Sequence, residues 1–423
     1  MYLNSGQVCV MIMLNIGQKY QRSVKMVEVI IFIVLLISMF VLMVAEIILG
    51  ISWSLKKRKK VSSSKNQVRL KRNSILLIVT IILMGGLMLY SQITVSTPKI
   101  KDENGKVMEN SIAKLESVDL NTRSEWISIR GQNKKNPVLL FLAGGPGGSQ
   151  MAAVRHELSE LEKHFVVVVW DQPGSGKSYS VGNENLTVNT YIEDGLALTE
   201  YLRNQFKQEK IYLVGESWGS TLAIFLASKS PDYYHAIIGT GQMVDFIETE
   251  NLDYDKAIEI ATEKGDKDKI KKLKENGRPP YYGSDVTWKS AEYLNYLSSY
   301  MSSNPKIQNR GYNTFRDIFS SEYSIIDKIN YLRGIVTTFN HVYPQLYDID
   351  LRTDYSKINV PIYFFLGRHD INAPTPLVED YLNVLEAPHK EIVWFENSGH
   401  SPWINESDRF IKELIFTSKQ KYS

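Results

Sequence analysis

The sequence predicts an α/β fold: a mostly parallel sheet with helices on both faces, behind two membrane-crossing helices. Three observations predict it. Residues 29–50 and 75–95 are apolar on all sides over the length a helix needs to cross a bilayer. From residue 116 onward, short apolar runs alternate with helix-length segments. One long interval, 242–355, breaks that rhythm and reads as a helical insertion.

The N-terminal part, 1–95, is expected to be a tail and a two-helix membrane anchor. The span 29–50 carries one charge, Glu46, near one end, and 75–95 carries none. Residues 56–72 join them as a basic loop with nine Lys/Arg and no acid. Short basic loops stay on the cytoplasmic side, so the hairpin places both termini outside. Lys19, Arg22 and Lys25 pull the other way, but nine outweigh three. The expectation is a two-pass membrane protein with its main domain on the extracellular side. The flank SQITVSTPK lacks an A-x-A-like cleavage site, so the second span is a retained anchor rather than a signal peptide. The basic residues also favour anionic lipid headgroups, which makes the lipid bilayer an expected partner. Met26, just before the first span, is an alternative start to Met1.

The formal net charge is +3. The basic loop supplies nine positive charges, residues 1–55 one more, and 73–110 none, which leaves −7 for 111–423. An acidic main domain argues against a nucleic-acid partner. The single cysteine, Cys9, excludes an intrachain disulfide and a cysteine metal cluster; it reads as an apolar residue rather than a lipid attachment point. Neither cofactor nor metal is expected, and the oligomeric state is left open.

Residues 96–115 are polar, contain Pro98 and Gly105, and read as a linker. The core is expected over 116–241 and 356–423. Its strands are the apolar runs 137–143, 164–170, 210–215, 234–241, 361–367 and 390–396, several rich in β-branched residues, as strands buried on both faces are. Helices are expected over 149–163, 187–206, 218–229, 376–386 and 403–417. The insertion 242–355 reads as a lid, a device that selects substrate and excludes water.

Gly215-Glu216-Ser217-Trp218-Gly219 fits G-x-S-x-G, with the strand KIYLVG leading in and STLAIFLASK leading out. A tight strand-to-helix turn lifts the serine hydroxyl clear of the backbone at the C-terminal edge of the sheet. Ser217 is therefore the expected nucleophile. It needs a base oriented by an acid, and in this arrangement the acid and then the histidine follow in the chain. Asp370, in Gly-Arg-His-Asp after the strand 361–367, is the expected acid, ahead of Glu379 and Asp380, which fall on a helix. His400, in Gly-His-Ser-Pro after the strand 390–396, is the expected base. His156, His164 and His235 precede the late strands, His341 lies in the insertion, His369 adjoins the acid and His389 precedes its strand.

Acyl transfer also needs donors for a developing oxyanion. The amide of Trp218 follows the nucleophile. The loop Ala143-Gly144-Gly145-Pro146-Gly147-Gly148-Ser149 offers the amides of Gly144 and Gly145. The segment Asp171–Ser178 ends in Gly-Lys-Ser, like a phosphate-binding loop, but has Asp171 where that pattern requires glycine.

AGGPGGS, DQPGSGKS, GESWGSTLA, GRHD and SGHS, in that order, resemble the proline iminopeptidase branch of the α/β-hydrolase superfamily, over about 115–418. The resemblance implies the α/β-hydrolase fold with a helical lid between the sixth and seventh strands of the core sheet. It implies Ser217, Asp370 and His400 as triad and the Gly144, Gly145 and Trp218 amides as oxyanion hole. It further implies lid carboxylates that hold a substrate amine; Asp245, Glu248, Glu250 and Glu292 are available, though on a helix such groups more often form a solvated face. The family's glycine loop usually begins with histidine, where this chain has Ala143. The expected function is a membrane-anchored serine hydrolase cleaving an amide or ester through an acyl-enzyme. A prolyl aminopeptidase-like activity on short peptides stands first. An esterase or lactonase acting on a small or lipid-like substrate is the alternative, and a non-catalytic binding module is the rival from another class.

Overall fold

Why the chain makes a hairpin first follows from solvation. In α1 (Ser5–Arg58), from residue 23 onward, and in α2 (Ser64–Ile93), apolar side chains point outward: Ile37, Phe40, Ile47 and Ile82 are each more than half exposed. Ser23–Arg58 and Ser64–Ile93 are long and apolar enough to cross a membrane. Glu46 is tolerated because the facing helix partners it, through Ser74 Oγ at 2.6 Å and Asn73 Nδ2 at 2.5 Å. The basic segment expected as a loop is mostly helical. Lys56–Arg58 end α1, and α2 begins at Ser64. Lys and Arg are good helix formers, and cations suit a helix C-terminus. The structure, a computed structural model, describes residues 5–61, 64–179, 185–307, 309 and 311–420, with the backbone alone over 5–22. Met1 and the Cys9 side chain lie outside the described residues.

The chain divides into two units. The first holds the residues up to Ser96 together with Phe319–Lys328 from the insertion; the second holds Thr97–Ile318 and Ile329–Ser423. Within the first unit, the Ser96 amide donates to the Ser321 carbonyl at 3.0 Å and the Ile325 amide to Ser91 Oγ at 3.0 Å.

The second unit is built on one eight-stranded sheet with the order β1-β2-β4-β3-β5-β6-β7-β8. β3 (Val138–Leu142), β4 (Val166–Asp171), β5 (Ile211–Glu216), β6 (Tyr234–Thr240), β7 (Ile362–Gly367) and β8 (Lys390–Phe395) run parallel and match the six apolar runs. β1 (Ile112–Leu120) and β2 (Arg123–Gly131) add an antiparallel pair that the apolar runs do not reveal. β1 starts four residues inside the segment expected as a linker. Its sequence IAKLESVDL mixes apolar and polar residues, and only its last part, Ser117–Leu120, alternates exposed with buried positions. Helices α4 (Val188–Phe206) and α5 (Trp218–Lys229) are among those that cover the sheet. Thr187 caps α4 by accepting from the Thr190 amide.

The insertion lies between β6 and β7. It contains α6 (Phe246–Glu263), α7 (Lys267–Asn276), α8 (Val286–Ser302), α9 (Thr314–Ile318), α10 (Ile325–Arg333), α11 (Phe339–Val342) and α12 (Leu351–Asp354). α6, α7 and α8 close a small core of their own around Ala257, Ile260, Leu273, Tyr293 and Leu297.

Candidate active site

The turn from β5 into α5 sets the geometry. A Cβ at Gly215 would collide with the Gly219 carbonyl, and one at Gly219 with the Leu142 carbonyl. Only glycine lets the chain reverse this tightly. Ser217, between them, takes φ 54° and ψ −122°, a left-handed conformation that costs a non-glycine residue about 1–3 kcal/mol. Its amide donates to the Thr240 carbonyl at the end of β6, at 3.0 Å. The Ser217 hydroxyl makes no hydrogen bond to a described residue.

Asp370 and His400 are brought together. Asp370 sits in the turn after β7 and His400 in the turn after β8, and His400 Nδ1 lies 3.0 Å from Asp370 Oδ2. The other carboxylate oxygen, Oδ1, accepts from the amides of Asn372 at 2.9 Å and Ala373 at 3.0 Å. These bonds fix the carboxylate before the imidazole meets it. The imidazole lies against Gly241, the residue after Thr240; a Cβ there would stand 2.8 Å from His400 Cε1. Burial alone would lower the His400 pKa, but the Asp370 charge and hydrogen bond outweigh it, Glu216 adds to them, and the imidazole is pushed up to about 9. Ser217 and His400 themselves are not hydrogen-bonded, which is common before a substrate tightens such a site.

The glycine loop faces the serine. A Cβ on Gly144 would come within 3.3 Å of Ser217 Cβ. The amides of Gly144, Gly145 and Trp218 are not taken by another described residue. Gln172 braces this loop: its Nε2 donates to the Ala143 carbonyl at 2.9 Å, and its Oε1 accepts from Trp218 Nε1 at 3.0 Å. Asp171 accepts from Ser149 Oγ and, at 2.8 Å, from the Lys177 amide. Asp171 and Gln172, from the segment that imitates a phosphate loop, thus act as the mounting of the glycine loop.

Sequence reasoning missed Glu216, which is 2% exposed and directly precedes the serine. Four side chains donate to it: Ser401 Oγ at 2.6 Å and Trp403 Nε1 at 2.7 Å on one oxygen, Gln150 Nε2 and Tyr312 OH on the other. One carboxylate so ties together the elbow, the histidine turn, α3 (Met151–Glu157) through its capping residue Gln150, and the insertion. A charge at the variable position of G-x-S-x-G, right after a continuously apolar strand, was the available signal.

The insertion carboxylates divide. Asp245 and Glu248 pair with Arg352 at 2.9 and 2.6 Å, and Glu292 pairs with Lys269 and Lys272. Glu250 instead is buried and accepts from Tyr293 OH and, at 2.7 Å, Tyr343 OH. Burial drives its pKa up and the tyrosines hold it down, leaving it at about 7. Asp253, one turn on, is fully buried with neither oxygen hydrogen-bonded. Burial, then the charges of Glu250 and Asp370, push its pKa well above the usual carboxylate range. Both belong to the buried face of α6 with Phe246, Tyr254 and Ala257: Glu250, expected on a solvated face, is buried instead, and Asp253 was missed although an acid interrupting an apolar helical stripe was the available signal.

A cavity of about 340 Å³ opens beside His400, lined by Gly399 and Ser401 from the core and by Asn295, Met301 and Tyr312 from the insertion. Among the described residues, no group of three His, Cys, Asp or Glu could hold a metal ion.

The comparisons agree with this architecture. Residues 137–267 match the family model described as alpha/beta hydrolase fold. The chain is 33% identical over 313 residues to the probable aminopeptidase YbaC of Bacillus subtilis (strain 168), covering 72% of this chain and 96% of that one. It is 28% identical over 310 residues to a proline iminopeptidase of Saccharolobus solfataricus, covering 70% and 88%. The crystal structure of a proline iminopeptidase from Mycobacterium smegmatis superposes with a TM-score of 0.52 at 14% identity, covering 72% and 97%, a likeness of fold. The chain is a hydrolase, a member of the α/β-hydrolase family in its proline iminopeptidase-like branch.

Proposed function

We propose that the protein is a membrane-anchored serine hydrolase of aminopeptidase type, with Ser217 as nucleophile, His400 as base and Asp370 as the acid that orients it. The observation that carries this reading is a strained Ser217 and a paired Asp370–His400 at the C-terminal ends of β5, β7 and β8 in one sheet. His400 takes the Ser217 proton as the hydroxyl attacks the scissile carbonyl, then delivers it to the leaving amine. The amides of Gly144, Gly145 and Trp218 receive the oxyanion. An acyl-enzyme forms on Ser217 and water, activated by the same imidazole, releases it.

An amine-selecting site also suits Asp253. Burial and the charges of Glu250 and Asp370 favour the neutral form of Asp253, and a substrate ammonium would supply an opposite charge and hydrogen bonds. The 33% identical relative is named a probable aminopeptidase. The two apolar helices serve as the anchor, and the basic segment between them places the catalytic unit outside the cell.

The test is turnover by the full chain in membranes. A prolyl amide with a free amine should be cleaved, its N-acetylated form much less, and Ser217→Ala should cleave neither. Cleavage of a short-chain ester with both amides untouched would reject the peptidase reading and favour the esterase. Proteolysis of the catalytic unit in intact cells is the expected topology result; full protection would reverse the orientation.

A further inference from the structure

α10 exposes an apolar face. Its buried side holds Ile325 and Tyr331 together with Asp327 (4% exposed) and Lys328 (6% exposed), while Ile326, Ile329 and Leu332 stand 39%, 43% and 56% exposed. At 3.6 residues per turn these three share one face, with Asn330 and Arg333 beside them. The turn that follows, Gly334–Thr338, leaves Ile335 39% exposed as well. A helix facing water shows the opposite pattern.

The place where α10 starts indicates what covers that face. Its first turn belongs to the same unit as the hairpin. The Ile325 amide donates to Ser91 Oγ at 3.0 Å, two residues before α2 ends at Ile93. Ser91 Oγ in turn donates to Glu28 Oε2 at 3.0 Å, and Glu28 is paired with Lys25 at 2.9 Å, which reaches Thr94 Oγ1 at 3.2 Å. Ion pair and hydroxyls mark the level at which the hairpin changes from apolar to polar. Around them Leu89, Tyr90 and Ile93 are 64%, 51% and 72% exposed, so the apolar surface of the hairpin runs up to the first turn of α10.

We propose that α10 is an interfacial helix, with its Ile326–Ile329–Leu332 face in the headgroup region of the same bilayer that the hairpin crosses. This rests on the reading of the hairpin as a membrane anchor. An apolar face with a long cation among its residues suits an interfacial helix, and Arg333, in the last turn, has the reach to snorkel to the phosphates.

The experiment uses the full chain with Cys9→Ser, reconstituted in phosphatidylethanolamine/phosphatidylglycerol vesicles that carry shallow or deep doxyl-lipid quenchers. Single cysteines are introduced by Leu332→Cys, Ile329→Cys, Ile37→Cys in the first span and Lys271→Cys on exposed α7, each labelled with an environment-sensitive fluorophore. The expected result is quenching of roughly twofold or more by shallow quenchers at 332 and 329, by deep ones at 37, and by neither at 271. Quenching at 37 without quenching at 332 and 329 overturns this inference and leaves the anchor standing. No quenching at 37 overturns the anchor reading and this inference with it. A blue shift at 332 that needs high protein density and no lipid quencher assigns the face to a second copy, and also overturns it.

Discussion

The C-terminal edge of the sheet and the helical insertion treat buried charge in opposite ways. At the sheet edge, Glu216 has four donors and Asp370 has two backbone amides and an imidazole. In the insertion, Asp253 is as deeply buried and has none, and α10 leaves Ile326, Ile329 and Leu332 exposed. The first region is preorganised: its dipoles are in place before any substrate arrives. The second leaves one buried carboxylate, Asp253, without a hydrogen-bond donor. In the proposed function, chemistry is rooted in the sheet and selection in the insertion.

The largest break in this contrast comes at the serine. Ser217→Ala, His400→Ala and the double variant should each lower kcat by about 10⁴-fold or more, to similar levels, since the residues act as a unit. Burst and steady-state kinetics check it, and strictly additive losses would contradict the shared role.

Glu216→Leu should come next. Four donors would lose their acceptor at once, a cost of about 3 kcal/mol or more, read as a fall in denaturation midpoint with loss of activity. The milder Glu216→Gln sharpens the electrostatic point. His400 must be neutral to accept a proton, and its pKa is pushed up to about 9. The rising limb of kcat/KM against pH should thus lie well to the alkaline side of an ordinary histidine. Removing the Glu216 charge should move that limb to lower pH; an unmoved limb would separate Glu216 from the imidazole.

Asp253→Asn should act in two directions. Its raised pKa means that the neutral carboxyl supports the fold fully below the ordinary carboxylate range, and that this support is lost as pH rises through the raised value. The amide has no such loss, so the variant should gain stability as pH rises, by about 1–3 kcal/mol at most. The same change should raise KM for free-amine substrates with kcat little altered. Thermal melts across pH, with kinetics on free and N-acetylated substrates, check both signs. The smallest effect is expected at α10: Leu332→Ser should change stability in detergent by only about 0.5 kcal/mol, as an exposed site does.

How far the sequence could be read follows the same division. The strands β3 to β8 are legible because burial on both faces demands continuous apolar runs. The Ser217 elbow and the positions of Asp370 and His400 are legible because only certain residues meet at strand ends. β1 and β2 were missed because a half-wet strand such as IAKLESVDL breaks up its apolar residues with polar ones and so leaves no continuous apolar run. Glu216, Gln172 and Asp253 escaped because their meaning depends on partners far along the chain: Trp403, Ala143 and Asp370 are joined to them only by the fold. The insertion hid its α10 surface for a further reason. Ile326, Ile329 and Leu332 look like an ordinary core stripe until their exposure is known.

The claim that chemistry resides at Ser217 is tested most directly by a fluorophosphonate probe on the full chain in its membrane, with the adduct located by mass spectrometry. One covalent adduct is expected, on Ser217, formed faster as pH rises toward 9 and absent in Ser217→Ala. Folded protein that takes up no probe, or takes it up on another residue, would contradict it.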